Sequence, residues 1–463
     1  MQLAVRALLL LVTATPGLLP ETWSRFRGAN GAGIVPGDYV VEFGAEKNLL
    51  WKRPIPPGKS SPVLTESRIF LTAEEGANLL VLCLDRKTGK TVWERSIRRH
   101  RTEFQHALNS GASATPVTDG ENVYAFFGDF GLVSYDAKGK ERWRQPLGPF
   151  SSLWGMAASP VLTAGSVIML LDGFGESNIA AFDQRTGALR WKKNRMPFSL
   201  NYSTPIVRRA KDGTEEIVAI GSGRVIGYDS KRGDERWSRE MPNGSIISSH
   251  AFADDLVFTQ TYSEEVLPSF DDLLKKSDKD GNGVLSGAEL GEGQLGRVLT
   301  AFGSMAGSRD GIVDREEWAE VWRWVGKPAL TAVRLNGDNN RPEAAWTQLR
   351  SVARVPTPLV SNGVLYMIAN GGILTSVQVS NGTLGKVGRL EGALDNYWSS
   401  PVAAGDRIFF VAENGKIVVI KAGLDWQILA VNDLDDQCYA TPALSRGQIV
   451  IRTGSSLWKF GVQ

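Results

Sequence analysis

The chain has 463 residues, and its 52 Lys and Arg against 50 Asp and Glu leave a formal charge of +2. That balance excludes a global field drawing it to nucleic acid or anionic lipid, and 42% hydrophobic with 22% charged residues excludes a disordered or membrane-embedded chain. With 50 Gly, 21 Pro and 14 Trp, the composition points to many short elements separated by turns.

Residues 1–20 read as a secretory signal. Arg6 precedes the apolar run Ala7-Leu8-Leu9-Leu10-Leu11-Val12, and Ala14 is a small residue suited to cleavage. A periplasmic or extracellular protein is therefore expected. No run approaches the ~20 apolar residues of a spanning helix, so no transmembrane segment is expected. No Cys precedes Cys83, which leaves no cysteine for an N-terminal lipid anchor. Cys83 and Cys438 are too few for a disulfide framework or a four-ligand zinc site. A single bridge between them stays open at this point.

From residue 21 to 262 the chain repeats itself. A phrase of small residue, Ser or Thr, Pro and aliphatic recurs at Ser60-Ser61-Pro62-Val63, Ala114-Thr115-Pro116-Val117, Ala158-Ser159-Pro160-Val161 and Ser203-Thr204-Pro205-Ile206. Ser248-Ser249-His250-Ala251 is a degenerate copy, and further copies centre on Pro358, Pro401 and Pro442. The steps are 54, 44, 45, 45, 108, 43 and 41 residues, so one unit is oversized. A second phrase follows within units: Asp85 to Gly89 then Trp93, Asp136 to Gly139 then Trp143, Asp183 to Gly187 then Trp191, Asp229 to Gly233 then Trp237. Asp bonds the backbone two residues on, and Gly takes the positive φ of a tight hairpin. The Trp then lies on the next strand, where its ring fills the wedge between neighbouring sheets.

Alternating runs such as Arg68-Ile69-Phe70-Leu71-Thr72 complete a four-stranded unit. Eight such units predict an all-β fold, an eight-bladed β-propeller. Seven blades is the alternative if the His250 copy is discarded. The last unit supplies only three strands, and residues 49–53, with Trp51, are predicted to close it as the outer strand of blade 8, which removes an open edge. A monomer is expected.

The Asp-x-x-Thr-Gly-x-x-x-Trp phrase and Trp23-Ser24-Arg25-Phe26-Arg27-Gly28-Ala29-Asn30-Gly31 resemble the PQQ-binding-like (quinoprotein-like) β-propeller repeat proteins. The resemblance covers nearly the whole mature chain. It is specific for the fold and weak for function, because the family includes quinoprotein dehydrogenases, outer-membrane assembly scaffolds and many other secreted proteins.

The oversized step is a predicted insertion over 263–327, after which the propeller resumes over 328–463. Asp278 to Glu289 fits an EF-hand calcium loop position by position. Asp278, Asp280 and Asn282 supply oxygens at positions 1, 3 and 5, and Gly283 makes the turn at 6. Val284 offers its carbonyl at 7, Ser286 stands at 9, and Glu289 is the bidentate carboxylate at 12. Phe270 to Lys276 gives the entering helix. A weaker second loop places Ser308, Asp310, Ile312, Asp314 and Glu317 at positions 3, 5, 7, 9 and 12, but its position 1 is Ala306, which has no side-chain oxygen. Its exiting helix is expected over 316–325. The two glycines are 28 residues apart, tighter than a familiar EF-hand pair, so the second loop is expected to bind weakly or to act as a structural partner.

The insertion is expected between the second and third strands of blade 5, on the face that also carries the connections between blades. Those connections converge on the channel mouth. They bring His106, Asn109, Trp154, Asn201, Tyr202, Asn396, Tyr397, Trp398 and Tyr439 there as candidates for binding a protein or a small-molecule ligand, or for plugging the channel. Neither His106 nor the other histidines, His100 and His250, fall in a metal-ligand or nucleophile pattern.

Two functions are weighed. One is a non-catalytic, Ca²⁺-carrying binding scaffold. The other is what the resemblance implies at its enzymatic end: a PQQ-dependent dehydrogenase oxidising an alcohol or sugar, which needs a stacking Trp, a cation near the cofactor carbonyls, a Ca²⁺ at the cofactor and a catalytic Asp. Trp154 or Trp398 with Asp395 or Asp436 imitates part of that set. No adjacent cysteine pair and no Cys-x-x-Cys-His motif is present. The scaffold is favoured, with no catalytic residue assigned.

Overall fold

The computed structural model describes residues 22–462, except 153, 174–175, 196–200, 222, 242–246, 262–267, 292–295, 297–307, 309, 325–327 and 337–341. The predicted signal segment, Ala306 of the second loop and the links joining the insertion to its blade lie outside the described residues.

Eight sheets of four antiparallel strands follow one another round a ring, spanning 63–98, 117–146, 161–194, 206–240, 251–348, 359–389, 402–433 and 443–460. The unit containing His250 is a full blade, so the ring has eight members and not seven. Leu49–Pro54 pairs antiparallel with Ser456–Phe460, setting Lys52 opposite Trp458, and thereby completes blade 8. The second strands are buried along their length because neighbouring blades cover both faces; Ser166–Asp172 has no exposed residue. Outer strands such as Thr91–Arg98 alternate between buried and open positions, as a strand with one covered face must.

In all eight blades the register slips by one residue between the third and fourth strands, close to where the Trp usually stands. Such a bulge bends the strand and re-aims its side chain. The re-aimed indole reaches the Asp–Gly turn of the next blade. Trp93 Nε1 donates to Ala137 O at 3.0 Å, Trp143 Nε1 to Gln184 O at 3.1 Å, and Trp346 Nε1 to Val379 O at 2.9 Å. The turn glycine lies against the ring: a Cβ at Gly89, Gly139, Gly187 or Gly382 would stand 2.6–2.8 Å from Trp51, Trp93, Trp143 or Trp346. These glycines are thus required twice, for positive φ and for the close approach. Blade 6 reverses the arrangement. Its outer strand, Leu384–Arg389, carries Gly388, and the ring of Trp426 from blade 7 packs back onto it at 3.3 Å from where a Cβ would be.

Residues 23–35 add a feature that the repeats do not announce. Trp23 pairs with Leu64, Ser24 O accepts from Thr118 N–H, Asn30 exchanges hydrogen bonds with Val207, and Ile34–Val35 lies parallel to the inner strand of blade 7. Each partner is at or near the far end of an inner strand. The segment therefore crosses the channel opposite the mouth.

Cys83 and Cys438 are both buried and unpaired, which answers the open question of a bridge.

Candidate functional site

The Pro phrases bring their hydroxyl residues to the inner rim, one per blade. There each accepts a hydrogen bond from the backbone N–H of the preceding blade's hydroxyl residue. Ser61 N–H donates to Thr115 Oγ1, and the chain of bonds runs on through Ser159, Thr204, Ser249, Thr357, Ser400 and Thr441 before returning from Thr441 N–H to Ser61 Oγ. All eight bonds measure 2.8–3.1 Å, so the circle closes without a gap. The proline after each hydroxyl has no N–H to compete for these acceptors. At the fifth slot His250 replaces it. His250 is 1% exposed and neither ring nitrogen has a hydrogen-bond partner among the described residues.

Above this circle opens a cavity of about 720 Å³ whose walls include all eight hydroxyl residues and whose lining also includes Phe26 from the crossing segment. Six of the nine predicted mouth residues line it: His106, Asn109, Trp154, Tyr202, Trp398 and Tyr439. The His106 and Trp154 rings are 4.6 Å apart, and Asn109 Nδ2 donates to Trp154 O at 2.7 Å, fixing that connection.

Asn201, Asn396 and Tyr397 do not line the cavity. Asn201 is turned into the blades, where Nδ2 donates to Asp172 Oδ2 at 2.8 Å and helps satisfy the buried Asp172–Arg195 pair. Tyr397 is fully buried with its hydroxyl donating to Ala393 O at 2.8 Å. Asn396 donates to Glu413 Oε2 at 3.0 Å and so supports the wall from behind. In a connecting loop, neighbouring residues face opposite ways, so proximity in sequence to a lining residue does not make another one.

Glu413, on no predicted connection, holds one side of the mouth together. Besides Asn396 it accepts from Trp398 Nε1 at 2.8 Å and from the Tyr439 hydroxyl at 2.8 Å. Burial alone raises the Glu413 carboxyl, but these three donors and nearby Lys59 outweigh it and leave it below the ordinary carboxylate range. Burial, followed by the bond to Glu413, pushes the Tyr439 phenol up to about 12. Lys59 and Arg354 also line the cavity. The Lys59 ammonium lies 4.2 Å from the centre of the Tyr439 ring and the Arg354 guanidinium 5.8 Å from that of Trp154. Burial lowers Lys59, and Glu413 and Glu74 hold it partly up. Sequence reading passed over both cations because single Lys and Arg residues in loops carry no pattern. Phe104 and Leu108, 69% and 38% exposed, give the cavity an apolar lip.

The insertion leaves blade 5 after Leu256–Thr261 and returns at Ala329–Arg334, strands that pair directly. Helix α1, Phe270–Ser277, is capped by the Ser269 side chain, which accepts from Asp272 N–H at 3.1 Å. Helix α2, Gly287–Leu290, follows the first loop, and α3, Arg315–Trp324, follows the second. The two loops meet in a short antiparallel ladder with Leu285 opposite Val313. Those residues stand at position 8 of each loop, so the 28-residue spacing still permits a paired arrangement. Leu285, Val313, Phe270, Leu273 and Trp318 form its small core, with the Phe270 and Trp318 rings 6.2 Å apart.

In the first loop carboxylate oxygens of Asp278, Asp280 and Glu289 all lie within 4.8 Å of one another. Asp278 Oδ1 accepts from Gly281 N–H at 2.8 Å and Asn282 Oδ1 from Val284 N–H at 2.9 Å, while Gly283 takes φ of 80° at the turn. Glu289 accepts from Lys279 N–H and from Ser286 N–H, both at 2.9 Å. These donors, the Ser286 amide first, hold its carboxyl down to about 2, ionised across the physiological range. Among the described residues no second carboxylate convergence of this kind occurs. In the second loop Asp314 Oδ1 accepts from Glu317 N–H at 2.8 Å and Glu317 Oε1 from Ser308 N–H at 2.6 Å, while Asp310 Oδ1 takes Ile312 N–H at 2.9 Å.

A family profile described as outer membrane protein assembly factor BamB matches residues 34–170, 77–327 and 175–460. Two curated proteins of that name are similar in part. The one from Alkalilimnicola ehrlichii is 23% identical over 198 residues, 41% of this chain and 48% of its own length. The one from Salmonella typhimurium is 27% identical over 142 residues, 27% of this chain and 35% of its own. The matches thus span half or less of those relatives. Among solved structures, BamB from Moraxella catarrhalis superposes with TM-score 0.56 at 11% identity, covering 89% of this chain and 98% of that one. A europium-containing methanol dehydrogenase gives 0.61 at 11% identity, covering 95% and 98%. A quinohemoprotein alcohol dehydrogenase from Comamonas testosteroni gives 0.61 at 12%, covering 95% and 80%. At such identities these likenesses establish the propeller and not its use. With its repeat profile matched almost from end to end, the chain belongs to the PQQ-type repeat family described as outer membrane protein assembly factor BamB.

Proposed function

We propose that the chain is a periplasmic or extracellular, monomeric, non-catalytic scaffold that binds a protein partner or small ligand at the channel mouth and carries Ca²⁺ in its insertion. The observation that carries the non-catalytic reading is the state of Glu413. It is hydrogen-bonded to two side chains of the aromatic wall, and three side-chain donors in all occupy it. A carboxylate committed in this way is a poor general base and a poor metal ligand. The exposed Phe104 and Leu108 on the lip favour a protein partner, since apolar side chains on a rim are covered on docking. The name borne by its relatives points the same way, toward assembly of outer membrane proteins.

The Ca²⁺ reading rests on the donor set of the first loop: hard oxygens, three convergent carboxylates and a Gly turn. Asp278, Asp280, Asn282, Ser286 and Glu289 would hold the ion through side chains and Val284 through its carbonyl. The charge supplied would lock α1 against α2. The residues fit a PQQ-dependent dehydrogenase poorly: among the described residues no carboxylate cluster for a cation lies in the channel.

Incubation with PQQ, Ca²⁺ and a dye acceptor separates the two readings. The scaffold predicts no alcohol- or sugar-dependent dye reduction. A red-shifted bound cofactor together with substrate-dependent reduction would falsify it.

A further inference from the structure

Each hydroxyl of the inner circle has one hydrogen to donate. Its oxygen already receives an amide from the preceding blade, and none of the eight has an acceptor for its own hydrogen among the described residues. All eight residues line the cavity, so a circle of unspent donors faces one space.

The floor adds charge. Arg25 and Arg27 are 7% and 1% exposed, and neither forms an ion pair among the described residues. Arg25 Nη2 donates to Pro205 O at 2.7 Å, and Arg27 Nη2 reaches Pro401 O at 3.5 Å. Those prolines follow Thr204 and Ser400, so the guanidiniums sit one residue beneath the circle, beside blades 4 and 7. Arg25 Nε and Arg27 Nε and Nη1 are buried without partners. Two uncompensated buried cations are costly, and an anion above them would relieve that cost through space, strongly so away from bulk water. Lys59 and Arg354 add positive charge higher in the wall.

We propose that the closed end of the channel is an oxyanion site, taking the carboxylate of a ligand onto the ring hydroxyls above Arg25 and Arg27. The ligand's body lies between Trp154, Trp398 and Tyr439. The hydroxyls contact it directly, while the sealed guanidiniums contribute only their field. This rests on the channel being a binding site, but not on the absence of catalysis or on the nature of any partner at the Phe104 lip.

Titration of the full chain by calorimetry, followed also by tryptophan fluorescence, tests it with matched pairs of probes. The pairs are benzoate against benzamide, and a short peptide with a free α-carboxylate against its C-terminal amide. Loss of a charge-assisted contact should weaken each neutral partner at least about tenfold. Tighter binding of benzoate identifies a small-molecule site, and tighter binding of the free-acid peptide identifies a chain-end site. Arg27→Lys should retain the preference and Arg27→Met should lose it; if the latter fails to fold, the comparison on the natural chain still decides. Equal binding within both pairs, or no binding of either carboxylate, overturns the proposal. Neither result touches docking at the lip, which Phe104→Asp probes separately.

Discussion

Gly139 lies flat on the indole of Trp93, so close that a Cβ would stand 2.8 Å from two ring carbons. The pair joins blades 1 and 2, and its counterparts join several other blades. Gly139→Ala should cost roughly 2–4 kcal/mol, from φ of +79° and from the clash. Gly76 has φ of +57° with nothing within 4 Å, so Gly76→Ala isolates the backbone part. Urea unfolding of the two variants compares them, and equal losses would mean that the glycine–indole contact contributes nothing.

The hydroxyl circle predicts a second asymmetry. Thr441→Val keeps the shape of the side chain but leaves Ser400 N–H without its acceptor. An orphaned buried amide costs roughly 1–3 kcal/mol, and Ser61→Ala should cost a similar amount by orphaning Thr441 N–H. Thermal or urea unfolding measures both. Wild-type stability in both variants would show that water replaces these hydroxyls freely.

His250 gives the fold an acid-sensitive point. Burial, then the nearby Arg195, pushes its imidazole down to about 3. The unfolded chain takes up that proton near pH 6.5. Between about 6.5 and 3 the unfolded state therefore binds more protons, and stability falls as pH falls through that window. His250→Pro restores the residue found in the other seven phrases and should flatten that part of the curve. Unfolding free energies at pH 7 and 5 for both proteins give the comparison, and an unchanged difference would remove His250 from the account.

Much of this architecture was legible in advance for a physical reason. Blades share one packing problem, so Pro62, Gly89, Trp93 and their equivalents recur at fixed intervals, and the closing strand at Leu49–Pro54 carries the expected Trp51. What was not legible lies outside the repeat. The crossing segment around Phe26 occurs once, and its partners Leu64, Val207 and Ala403 are distant in sequence. Blade 6 has no Trp on its outer strand, and Trp426 fills that space from the neighbouring blade. At the mouth, the aromatic residues of the connections marked the right face, yet Asn201 and Tyr397 turn inward to satisfy buried groups. Glu413, Lys59 and Arg354 belong to the site through contacts alone, which no spacing rule encodes.

Calorimetric titration of the full chain with Ca²⁺ tests most directly the claim that a cation-binding cassette has been spliced into this propeller. One ion per chain should bind, with the heat abolished by Glu289→Gln and retained in Glu317→Gln, because among the described residues only the first loop gathers carboxylates at one point. Absence of heat at millimolar Ca²⁺, or heat that survives Glu289→Gln, would contradict it.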